Sequence, residues 1–101
     1  MDLSAFKRSL DQDAPPEGLG PALAALWHEA KGDWDQAHRL AQTQKDADGA
    51  WAHAYLHRVE GNHDNAGYWY QRAEKPQCTA LLKQEWDQIA GALLDGMRES
   101  S

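Results

Sequence analysis

His53, His57 and Glu60 carry side chains that can share a metal ion, spaced i, i+4 and i+7 within the segment WAHAYLHRVE. At about 100° per residue, a helix gathers the three into one sector about 60° wide. Two imidazoles one turn apart with a carboxylate beyond them form half a site for zinc or another divalent cation. Such a site needs neutral ring nitrogens and an ionised carboxylate converging on one point. His28, at the matching angle of an upstream segment, is the expected further ligand. The glutamate that follows the first histidine of a zinc-protease helix is missing here. Histidines at this spacing also commonly edge a groove or bond to a neighbouring helix. A divalent metal at His53, His57, Glu60 and His28, serving a hydrolase or a sensor, is therefore the alternative reading, and no other cofactor is indicated.

The opposite side of the same segment has a different chemistry. Trp51, Tyr55 and Arg58 share a second sector of similar width. Trp, Tyr and Arg are the residue types of binding hot spots. Further on, Tyr68, Trp69 and Tyr70 are consecutive, so a helix cannot bury all three. Trp69 and Tyr70 are expected in the core and Tyr68 at a surface. The two faces of the Trp51 segment cannot both be core. The aromatic–Arg side, Trp51, Tyr55 and Arg58 with Tyr68, is expected to be the exposed one. The leading reading is a non-enzymatic module that binds a protein or peptide through that face, or self-associates into a homo-oligomer.

Composition narrows the alternatives. A net charge of −6, with no basic cluster beyond Lys7-Arg8, argues against nucleic acid. No apolar run is long enough to span a membrane, and the first residues lack the apolar core of a signal peptide. One cysteine, Cys78, fits a reducing cytoplasm and makes no internal disulfide. There is no phosphate loop, no G-x-S-x-G elbow and no dinucleotide fingerprint, so no catalytic set is legible.

These residues must be positioned by helices, since no strand pattern occurs. Leu3, Phe6 and Leu10 mark a short N-terminal helix, and the Pro15-Pro16 loop follows it. Pro21 opens a second helix that stops at Gly32. Asp33 caps a third, with Gln36 as its capping-box partner. The run DADG, 46–49, reads as a break before the helix of Trp51. Gly61 ends that helix, and Asn62 or Asp64 caps the next. Gly67 inside this fifth helix suggests a close helix contact, and Pro76 stops it. Thr79 caps a last helix over about 80–97, with Leu82, Trp86, Ile89 and Leu93 as its stripe, and residues 98–101 are expected to fray. The whole, 1–101, is one all-α domain of about six helices.

Gly32 and Gly61 are 61 − 32 = 29 residues apart. That shift brings Ala25 onto Ala54, His28 onto His57 and Ala37 onto Ala66. Ala54, Gly61, Ala66, Tyr70, Ala73 and Pro76 together resemble the tetratricopeptide-like repeat family, although 29 is shorter than that family's period. The resemblance implies two stacked helical hairpins, about 21–45 and 50–76, flanked by the short first helix and the long helix of about 79–97. The block from Trp51 to Pro76 also resembles small bacterial proteins bearing a W-x-H-A-Y-L-H-R-x-E-G…Y-W-Y-x-R-A signature, a likeness that implies no activity.

Overall fold

The computed structural model describes the backbone of residues 1–99 and side chains through Met97. Six helices follow in order: α1 Leu3–Arg8, α2 Pro21–Ala30, α3 Trp34–Thr43, α4 Ala47–Val59, α5 His63–Ala73 and α6 Leu82–Glu99, with a 3₁₀ turn Ser9–Asp11 after α1. No strand occurs among the described residues, and no described helix is long and apolar enough to cross a membrane. The expected fraying of the last residues falls partly on α6, which is helical through Glu99, and otherwise lies outside the described residues.

The turns within the two hairpins, α2–α3 and α4–α5, are built alike. Gly32 and Gly61 adopt left-handed φ values of 89° and 84°. Behind each glycine the chain turns back to cap the helix it leaves. The amide of Asp33 donates to the His28 carbonyl at 2.9 Å, and that of Asn62 to the His57 carbonyl at 2.9 Å. Asp33 and Asn62 then cap the following helices through Gln36 N (3.1 Å) and Asn65 N (3.2 Å). The expected reciprocal bond from Gln36 does not form, because its side chain accepts from Arg39 instead.

Three boundaries differ from expectation. The run DADG is the first turn of α4, not a break: Asp46 is the cap, and its carboxylate accepts from the Gly49 amide at 3.0 Å. Helix α5 stops at Glu74, which takes the left-handed conformation (φ 60°), two residues ahead of Pro76. The last helix begins at Leu82 rather than near Thr79. Gly67 faces only the end of the Gln77 side chain, not a packed helix. Gly49 is the glycine that a close approach requires. A Cβ there would lie 1.9 Å from the Gln44 carbonyl oxygen.

Helix α4 is the centre of the molecule. It packs against α2, α3, α5 and α6, and every residue from Gly49 to His57 is buried. Helix α6 lies across α1, α2 and α4, where Trp86 stacks on Phe6 and donates its N–H to the Leu26 carbonyl at 3.0 Å. Trp27 and Trp34 likewise satisfy their N–H groups, on the Ser9 hydroxyl and the Leu56 carbonyl. Large rings thus fill a core otherwise rich in alanine while leaving these donors bonded.

Candidate functional site

The aromatic–Arg face of α4 is inside the protein. Trp51 and Tyr55 are 7% and 3% exposed. Tyr55 and Glu29 are near enough to affect each other's titration, and burial first of all pushes both groups' pKa values up. Arg58 donates to Glu85 at 2.9 Å and also to the Ala80 carbonyl. The Glu85 carboxylate is 1% exposed, and its other oxygen accepts from the Tyr70 hydroxyl. The expected binding surface of Trp51, Tyr55 and Arg58 is thus a core face with a buried charge pair. Tyr68 alone of that set is at the surface, half exposed, with its hydroxyl accepting from Arg72. The expectation that one side of α4 must face water fails because helices cover it on both sides: α2 and α6 on one, α3 and α5 on the other.

The histidine side is also enclosed, and there the side chains converge. His53 and His57 on α4 meet His38 from α3. One ring nitrogen from each of the three lies within 4.8 Å of the other two. His53 Nε2 is 2.9 Å from His38 Nε2, so one of these rings donates its N–H to the lone pair of the other. His57 turns Nδ1 to the Glu60 carboxylate at 2.5 Å, which directs Nε2 to the far side of the ring. Trp34 stacks on His38 at 4.8 Å between centroids, and Trp69 stacks on His53 at 3.8 Å. His57 stacks against His53 at 4.8 Å. Each ring is thereby held in a defined plane.

Burial favours the neutral form of His53 and of His38. It pushes His53 down to about 4, and the neighbouring His38, His57 and Lys45 oppose a charge there as well. His38 is also lowered, first by burial and then by His57, against opposing pulls from Glu60 and Asp35. Neutral imidazole is the form that binds a metal, since each ring must offer a lone pair.

Two expected metal ligands have other places. His28 is outside the cluster and packs edge-on to Trp27. His38 is the third member of the cluster because α3 packs against this side of α4. Its sequence signal is the spacing Trp34–His38, one turn apart on α3, with the ring of one laid over the other. Glu60 lies beside His57, where it positions the ring, and does not reach the cluster as a ligand.

A tetrahedral zinc with Zn–N bonds near 2.0–2.1 Å requires nitrogens about 3.3 Å apart. His53 Nε2 and His38 Nε2 are 2.9 Å apart and the three ligand nitrogens lie within 4.8 Å of one another, so the widest separation would close by up to about 4.8 − 3.3 = 1.5 Å on metal binding. The ring that now donates from Nε2 would carry its proton on Nδ1 instead. Comparison with protein families, curated proteins and solved structures finds no match to this chain.

Proposed function

We propose that the protein binds a divalent transition metal through His38, His53 and His57. The supporting observation is the convergence of three imidazoles, drawn from two helices, on one partly enclosed point. An all-nitrogen, uncharged donor set suits zinc, copper or nickel over magnesium or calcium, which prefer hard oxygen ligands. Three protein ligands leave a fourth position for water or an exogenous ligand, the arrangement of catalytic zinc sites rather than closed structural ones. A metal held there would supply Lewis acidity, chemistry suited to a hydrolase or to a sensor that exchanges its ligand. Glu60 meets Nδ1 of His57 and so holds the ring's orientation and tautomer.

The test is a thermal melt of tag-free protein with and without zinc, alongside elemental analysis. At zinc about 100-fold above its Kd, native-state binding adds about 2.7 kcal/mol, a rise of roughly 10 °C or more in a domain this size. Replacing His38, His53 or His57 by Gln should remove the rise, and His28→Gln should not. Glu60→Gln should weaken binding by about 10–100-fold. Absence of both retained metal and a zinc-dependent shift in the unaltered protein overturns the reading.

A second reading rests on the stacked hairpins and on Tyr68, half exposed at the surface. It is a tetratricopeptide-like module that binds a protein or peptide, or a second copy of itself. Light scattering over a concentration series tests self-association, and Tyr68→Ala should reverse any that is found.

A further inference from the structure

The histidine cluster meets a cavity of about 600 Å³ through His53, the one of its three histidines on the cavity wall, with Trp69 beside it. That volume suits a small molecule. Lys45 and Arg72 also border it. Arg72 lies 5.2 Å from the centroid of the Trp69 ring, the same ring that stacks on His53. The one carboxylate on the cavity wall, Asp46, is already committed to the Gly49 amide and to the Gln44 side chain, each at 3.0 Å. In a chain of net charge −6, this is a local concentration of positive charge beside a neutral ligand set. A divalent ion on three neutral imidazoles, with the Glu60 carboxylate held behind one of them, retains net positive charge. Its open position therefore favours an anion.

We propose that the cavity takes a small oxyanion, carboxylate- or phosphate-bearing, with one oxygen on the metal and the others on Lys45 and Arg72. The inference rests on the metal reading above. It adds that the fourth ligand is anionic, comes from solution, and is held by two named cations. Arg72 supplies a planar fork and Lys45 a mobile point charge, a pair that can meet two oxygens of one ligand.

Cobalt(II) in place of zinc makes the coordination visible through its ligand-field absorption. Cobalt-loaded protein at neutral pH would be titrated separately with inorganic phosphate and with malonate. A saturating spectral change with either probe is expected, and comparison of the two distinguishes a phosphate from a carboxylate ligand. The Lys45→Gln, Arg72→Gln double variant should bind the effective anion about tenfold more weakly or worse. Its cobalt affinity should stay within about threefold, since neither side chain ligates the metal. A cobalt spectrum indifferent to both anions overturns the oxyanion proposal and leaves the metal reading standing. So does an anion affinity unchanged in the double variant. If no ligand-field band appears before any anion is added, the metal reading fails and this inference falls with it.

Discussion

Arg58 offers the sharpest test of which side of α4 is structural. Its guanidinium donates to Glu85 at 2.9 Å and to the Ala80 carbonyl, while the Tyr70 hydroxyl holds the other Glu85 oxygen. These bonds join α4 and α5 to α6 and to the segment leading into it. Glu85 is 1% exposed, and the Arg58 side chain 15%. Replacing Arg58 by Met keeps most of the apolar stem but leaves a buried carboxylate with only a tyrosine for company. Breaking a buried pair from one side costs about 3–5 kcal/mol. Partial solvent access at Arg58 and the surviving Tyr70 bond reduce this to about 2–4 kcal/mol. Against a total stability of about 5–15 kcal/mol, that is a large loss. In urea, with a slope near 1.5 kcal/mol/M, the midpoint should fall by about 2 M. Adding Glu85→Gln to Arg58→Met should recover part of it, so that the double variant costs less than the two single variants summed. Loss of under 0.5 kcal/mol in Arg58→Met would refute the reasoning and return Arg58 to the role of an exposed contact.

Three further outcomes follow from particular residues. His53, pushed down to about 4 in the fold from an ordinary value near 6.5, binds fewer protons folded than unfolded. Its contribution is therefore complete above about pH 6.5 and is lost as the pH falls toward 4. Metal-free protein should lose about 2 kcal/mol more between pH 7 and pH 5 than a His53→Gln variant, measured by urea midpoints at each pH, and parallel pH profiles would contradict this. Gly49→Ala forces a Cβ onto the Gln44 carbonyl oxygen and should cost about 1–3 kcal/mol in a chemical melt. Because the α3–α4 turn sets His38 against His53, the same change should also weaken the proposed metal binding. Glu74→Gly relieves a left-handed non-glycine residue at the end of α5 and should raise stability by up to about 1 kcal/mol, where a loss would show that Glu74 holds more than its backbone conformation.

What local sequence determined is the inventory of helices and the chemistry of their ends. Asp33 and Asn62 cap because a short polar side chain reaches an amide three residues on. Gly32 and Gly61 turn the chain because they tolerate left-handed φ. Such interactions span a few residues, so they are legible without the fold, as was the pairing of His53 and His57 on one face. The Glu60 contact with His57 is local too, but only the orientation of the ring decided that the carboxylate meets Nδ1 instead of joining the three histidines. Tertiary packing decided the rest. Helical periodicity divides α4 into two faces and cannot reveal that α2 and α6 would cover one while α3 and α5 covered the other. Trp51, Tyr55 and Arg58 were therefore legible as a cluster but not as core. The place of His38 depended on the approach of α3 to α4, which the tight Gly49–Gln44 contact sets. Side chains 15 residues apart on different helices meet only when that approach is specified. Repeat symmetry pointed to His28 because it matches positions along the chain, whereas a metal selects nitrogens that are close in space.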